Sequence, residues 1–193
     1  MVVIMNENSN LTPKIRFKGF TDAWEQRKLK DVSIYIDGNY GESYPKYNEF
    51  IDSGIPFFTS AVIGTTGIFD YKLVKYISKE KNDTLIKAQS HGGDIILTNR
   101  GASMGTSSQI PLKYGLVNIG PQLTRIRSIK GEADNSFLLS MLKVPFNKDR
   151  LLSMNAGSAM PFIGLTGLGT FTFNSPNLSE QSKIGLLFQN IDN

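Results

Sequence analysis

Residues 93–105 read GDIILTNRGASMG, and two readings of this stretch lead to two different folds. Gly101-Ala102-Ser103-Met104-Gly105 fits G-x-S-x-G, the nucleophile elbow that α/β-hydrolases carry on a sharp strand-to-helix turn. The other reading is a short buried strand over 94–98 that ends in a glycine-hinged loop carrying Asn99 and Arg100. An elbow serine needs a base, and His91 is the sole histidine of the chain. It lies twelve residues before Ser103, whereas the hydrolase order places the histidine after the nucleophile. A serine hydrolase using Ser103 is therefore the weakest alternative, and Ser103 is read as a turn residue.

Working outward, further strands are expected over 116–119 and 123–129 downstream, and over 54–58 and 29–36 upstream, the last from Leu29, Val32, Ile34 and Ile36. Asp22 is placed to cap a short helix through Trp24, Glu25, Gln26 and Arg27. Residues 72–87 are lysine-rich with Tyr76 and Ile77 as apolar anchors, and read as solvated surface. From Asp134 the period turns helical, with Phe137, Leu138, Met141 and Leu142 on one face. Pro145 stops that helix, Asn147 starts another through Leu151, Leu152 and Met154, and residues 155–158 close it. Residues 164–169 spell G-x-x-G-x-G, which is not the dinucleotide fingerprint; Phe171 and Phe173 follow as a strand rather than a helix.

The last segment has a helix signature. Ser179 can cap it, Glu180 suits its first turn, and Ile184, Leu187, Phe188 and Ile191 form one apolar seam for a partner surface. The expectation is a mixed α/β (α+β) protein: a loose leader over 1–12, one globular domain over 13–176, and over 177–193 a helix that would enter a coiled coil.

Composition removes several function classes. The absence of cysteine excludes disulfides and cysteine-ligated zinc, and fits a cytoplasmic protein. No apolar run approaches the roughly 20 residues of a membrane span, and Val2 to Met5 is too short for a signal-peptide core. There is no G-K-[ST] phosphate loop, and Asn174-Ser175-Pro176 lacks the paired prolines and aromatic residue of amino-methyltransferases. The formal charge of +4 comes entirely from residues 13–30, with six basic residues against Asp22 and Glu25; 15 basic and 15 acidic residues remain elsewhere. A phosphate-binding face and a solvated basic segment explain that equally well.

What remains are polar loops beside buried strands: Asn39 and Tyr40, Thr59 and Ser60, Asn99 and Arg100, and the run from Thr106 through Ser107 and Ser108 to Gln109. Asn, Gln and Arg can each make paired hydrogen bonds to base edges, while Ser, Thr and Lys hold phosphates. Lys46, Lys113 and Ser158 complete the candidate DNA contacts. A protein-interaction module built on the 179–193 seam and the Trp24 region is the main rival reading.

The run PKIRFKGFTDAWEQRKL at 13–29 closely resembles the opening of specificity subunits of type I restriction–modification enzymes. Asp37-Gly38 with Tyr44-Pro45, Ile77-Ser78-Lys79-Glu80, residues 93–101, Gly157-Ser158-Ala159-Met160-Pro161 and the closing SEQSKIG at 179–185 resemble further landmarks of that family, in family order. The resemblance implies a target-recognition domain that reads one half of a split double-stranded DNA sequence, without catalysis or a cofactor of its own. It also implies methyltransferase subunits that use S-adenosylmethionine, and a restriction subunit that uses ATP and Mg. Family members carry two such domains joined by long helices. A single domain whose helix stops at Asn193 is expected to be a fragment, or a half-subunit that pairs with itself.

Overall fold

The computed structural model describes residues 13, 15–154 and 161–192. The leader over 1–12, the residues 155–158 read as closing a helix, Ser158 and the landmark at 157–160 lie outside them. In chain order the described residues form β1 (Glu25–Lys28), α1 (Leu29–Val32), β2 (Ser33–Asp37), β3 (Phe50–Ile51), β4 (Ile55–Phe58), β5 (Lys75–Ile77), α2 (Lys79–Asp83), β6 (Gln89–His91), β7 (Ile95–Thr98), β8 (Ser107–Gln109), β9 (Leu116–Ile119) and β10 (Leu123–Ser128). There follow α3 (Asn135–Lys143), α4 (Pro145–Ser153), α5 (Leu165–Thr170), β11 (Thr172–Ser175) and α6 (Leu178–Asp192). The mixed α/β class read from the sequence is the observed one.

The opening stretch holds the centre of this architecture. Strand β7 lies between β10 and β8 in an antiparallel sheet of order β2-β10-β7-β8. All four of its residues are buried, which is why the sequence there is uninterrupted IILT rather than alternating. Ile95 and Leu97 point into a core shared with Leu29, Phe137, Leu138, Leu151 and Leu168 of the helices. Ile96 points the other way, into a second core with Phe58, Val117 and Ile119 of a sheet ordered β3-β5-β4-β9-β6. The molecule is thus layered as helices, sheet, sheet. Each fully buried Ile or Leu contributes about 1.5–3 kcal/mol of transfer free energy to holding those layers together.

Several local expectations are corrected. Residues 25–28 are a strand, not a helix, because they pair antiparallel with β11 from Glu25 opposite Ser175 to Lys28 opposite Thr172. Leu29 and Val32 belong to one helical turn, which their i, i+3 spacing permits, and only Ser33–Asp37 is extended. The strand expected after the glycine-rich 164–169 segment is present as β11, and the segment itself forms α5, whose Gly169 lets the Tyr35 hydroxyl pack against the backbone. Pro145 opens α4 at its first position, where a missing N–H costs nothing, so that helix begins two residues before Asn147. The lysine-rich 72–87 stretch is not all solvated: Ile77, Asn82 and Leu85 are buried.

Helix α6 starts at Leu178, and its cap is Asn177 rather than Ser179: the Asn177 Oδ1 accepts the Glu180 N–H at 3.0 Å. Glu180 is buried and takes both Arg16 Nε at 2.9 Å and Nη2 at 2.6 Å. That hydrogen bonding raises the Arg16 pKa above its ordinary value, against the opposing effect of desolvation. The helix docks on α3 through Gln181, Ile184 and Gly185, so its own domain covers part of the apolar seam. Leu187 and Phe188 are half-buried, Leu186 faces outward, and the Ile191 side chain lies outside what is described.

Candidate nucleic-acid interface

Strand directions decide which loops meet. β2 and β7 run together, each antiparallel to β10 between them, and β4 is parallel to β9. The C-terminal ends of these four strands are tied at one end of the molecule. Gly38 N donates to Leu123 O, Asn39 N to Ile119 O, Gly120 N to Phe58 O, and Asn99 N to Gln122 O, all at 2.8–3.0 Å. Gly38 and Gly120 permit this junction, since a Cβ on Gly38 would run into the Gly120 carbonyl.

Six of the sequence-derived candidates gather here: Asn39, Tyr40, Thr59, Ser60, Asn99 and Arg100. Their environments differ. Asn39 is buried, and its Nδ2 donates to Asn118 Oδ1 at 2.6 Å. Asn118 Nδ2 donates in turn to Asn82 Oδ1 at 3.0 Å and Leu85 O at 3.1 Å, so a chain of amides anchors the loop through the second sheet. Tyr40, 62% exposed, carries Lys87 Nζ 5.5 Å from its ring centroid. The Ser60 hydroxyl donates to Gln122 Oε1 at 2.5 Å, and Thr59 precedes it, half-buried.

Asn99 is fully buried. Its Nδ2 faces three acceptors: Asp37 Oδ1 at 3.1 Å, Thr124 Oγ1 at 3.0 Å and Pro121 O at 3.3 Å. Thr124 Oγ1 also donates to Asp37 Oδ1 at 2.5 Å. Asn99 Oδ1 then accepts Arg100 Nε at 3.2 Å, and the Arg100 guanidinium carbon stands 4.5 Å from the Phe162 ring centroid. Asn39 and Asn99 thus spend their amides on the scaffold, whereas Tyr40 and Arg100 face solvent.

The remaining candidates lie elsewhere. Ser107 opens β8 opposite Leu97, buried, with no hydrogen-bond partner for its hydroxyl among the described residues. Gln109 is at the opposite end, donating to Gly93 O at 3.0 Å and accepting from Gln189 Nε2 of α6 at 3.2 Å. Lys113 follows β8 there, its Nζ 3.7 Å from the Tyr71 ring centroid. Lys46 precedes β3, whose first residue Phe50 is level with the start of β4, both opposite Ile77. His91 is at that far end too, its Nδ1 3.1 Å from Arg127 Nη2. The length of β7, about 10 Å, separates it from the Ser103 turn.

Sequence reasoning missed Gln122, Thr124, Asp37, Phe162 and Lys87 as members of this constellation. Asp37 stood out in the sequence only with Gly38, as a landmark of the family resemblance, and not as a partner of Asn99. Phe162 pairs with Arg100 through an isolated bridge across 62 residues of chain, and no local pattern announces such a pairing.

Polar side chains displayed on loops at one end of the two larger sheets give a mixed α/β domain a surface of the kind that carries binding. Residues 21–193 match the type I restriction modification DNA specificity domain family, and this chain belongs to it. Members of the family mediate DNA sequence recognition. Similar solved structures include one reported as the basis of complex assembly and conformational transition of the type I R-M system, with TM-score 0.64, 20% identity and 91% of this chain covered. The HsdS subunit from Thermoanaerobacter tengcongensis has TM-score 0.62, 19% identity and 93% coverage. The S subunit of a type I restriction–modification system from M. genitalium has TM-score 0.63, 17% identity and 94% coverage. The match takes up 40%, 40% and 42% of those chains respectively. No curated protein matches this sequence.

Proposed function

We propose that this chain reads one half of a bipartite duplex DNA target within a type I restriction–modification complex, directing methylation and restriction without catalysing either. The observation that carries the proposal is the coincidence of family membership with a loop cluster that holds Tyr40, Ser60 and Arg100 on one sheet end. In this reading the chain binds no cofactor. Methyltransferase subunits bring S-adenosylmethionine, a restriction subunit brings ATP and Mg, and assembly takes place in the cytoplasm. No helix among the described residues is long and apolar enough to cross a membrane. Helix α6, with Leu186 outward, leads away to pair with a second recognition half, either another domain or another copy of this chain.

Phosphate contacts position such a domain and base contacts specify its target, so the balanced charge outside residues 13–30 is compatible with sequence reading. Binding by the chain alone is expected to be weak and to fall steeply with salt. The test is an exchange of residues 30–175 into a working specificity subunit, followed by mapping of the methylated motif in cells. Half of the motif is expected to change; an unchanged motif would falsify the assignment.

A further inference from the structure

We infer that Arg100 reads a guanine and that Asn99 is the residue that positions it for this; the inference rests on the DNA-reading function proposed above. The backbone leading into Arg100 is held on both sides, through Asn99. Asn99 N donates to Gln122 O at 2.9 Å, Ile163 N donates to Asn99 O at 2.8 Å, and Arg100 itself bridges Phe162. A residue so fixed at the end of a central strand has little freedom to wander.

The side chain is constrained as well. The Asn99 amide has one possible orientation, because the three groups around its Nδ2 include a carboxylate oxygen and a carbonyl, which only accept. Its oxygen is therefore turned to Arg100, where it takes the Nε hydrogen. With Nε taken by Asn99 and the guanidinium carbon 4.5 Å from the Phe162 ring centroid, the Nη1 and Nη2 hydrogens are the pair left for a ligand. No carboxylate among the described residues forms an ion pair with it.

Two parallel N–H donors on a fixed edge match the two acceptors that guanine alone presents in the major groove, O6 and N7. Adenine offers N7 but sets its N6 donor against the second N–H. A mobile arginine would serve a phosphate equally well; the Asn99 bond and the Phe162 stack favour one direction of approach instead.

The test uses the full chain at low salt, where its weak binding is strongest, with a pool of duplexes randomised at the core, sequencing the bound fraction, with melting curves recorded for every variant. The wild type is expected to select a motif with one guanine that Arg100→Gln releases, by roughly 5- to 150-fold, leaving the other positions alone. Replacing that guanine with 7-deazaguanine should weaken wild-type binding and leave Arg100→Gln unaffected. Asn99→Ala should blunt preference at the same position only, whereas a purely structural role would lower all positions together. If Asn99→Ala fails to fold, Phe162→Leu, a half-buried change, must show the same single-position loss. A selected motif that Arg100→Gln weakens equally on every sequence makes Arg100 a phosphate contact and overturns the inference alone. A motif that it does not alter has the same consequence. A wild type that selects nothing overturns the DNA-reading function itself.

Discussion

The two ends of the β-layers are built differently. At the end opposite the loop cluster, Asp94, Arg127 and the neighbouring amides are closed on one another, and Lys113 alone of the cations named there rests on a ring, that of Tyr71. Asp94, 3% exposed, takes Arg127 Nε at 2.5 Å, Arg127 Nη2 at 2.6 Å and the His91 N–H at 2.8 Å. Hydrogen bonding to Asp94 raises the Arg127 pKa above its ordinary value. Asn135 and Gln109 both donate to Gly93 O, and Gln189 joins Gln109 to α6. At the loop end the buried partners are neutral donors and a half-buried carboxylate, and the cations Arg100 and Lys87 rest on aromatic rings. One end uses the Asp94–Arg127 pair to hold the fold, and the other leaves Arg100 and Lys87 without a carboxylate partner among the described residues. That division separates stability from recognition, and substitutions can test it.

The largest effect is expected where the loop end is tied together. Gly38 brings the end of β2 against Gly120 after β9, which lets Asn39 reach Asn118. Gly38→Ala forces these backbones apart and should cost about 3 kcal/mol in a urea unfolding experiment. Loss of selectivity should accompany it, since both amide networks start from that junction. An unchanged midpoint would mean the strand ends yield more easily than their hydrogen bonds suggest.

At the opposite end Arg127→Ala leaves the buried Asp94 carboxylate with only the His91 N–H. It should cost about 2 kcal/mol, less than for a fully buried pair because Arg127 is 38% exposed. Base preference in the bound fraction should stay as in the wild type; a changed preference would erase the distinction between the two ends. Gly185→Ala should be milder. An alanine gains about 1 kcal/mol of helix propensity, but its Cβ would stand 2.6 Å from Ser136 Cβ and 2.9 Å from Phe137 N. The net expected loss is about 1 kcal/mol, with a displaced α6 and DNA selectivity close to that of the wild type.

How far the sequence was readable follows from the same physics. Strand β7, α3 and the last helix were legible because their apolar patterns are set by burial on nearby faces. Residues 25–28 were not, since EQRK has no strand pattern and is extended only because β11, nearly 150 residues away, pairs with it. Arg100 and Tyr40 stood out as polar residues beside strands, but the sequence could not distinguish them from Asn39 and Asn99, which are polar for internal reasons. Gln109 was indistinguishable in the same way: its amide joins β8 to Gly93 and α6 at the wrong end for the cluster. Lys87 was hidden in a lysine-rich run, and its approach to Tyr40 depends on the fold.

The smallest stability effect is expected at Arg100 itself. Its guanidinium is exposed, and what Arg100→Ala removes is one hydrogen bond to Asn99 and one face of contact with Phe162. Exposed contacts of that kind contribute about 0.5–1 kcal/mol, and removing the side chain leaves Asn99 Oδ1 next to solvent that can replace the lost donor. The melting midpoint should therefore shift by no more than Arg127→Ala shifts it, and by less if water fills the place. Target selection should move the opposite way, with Arg100→Ala far more damaging than Arg127→Ala. The order of the two variants must invert between the unfolding curve and the selected duplexes. If both measurements rank them alike, the two ends are not specialised, and the charge left open at the loop end has no separate role.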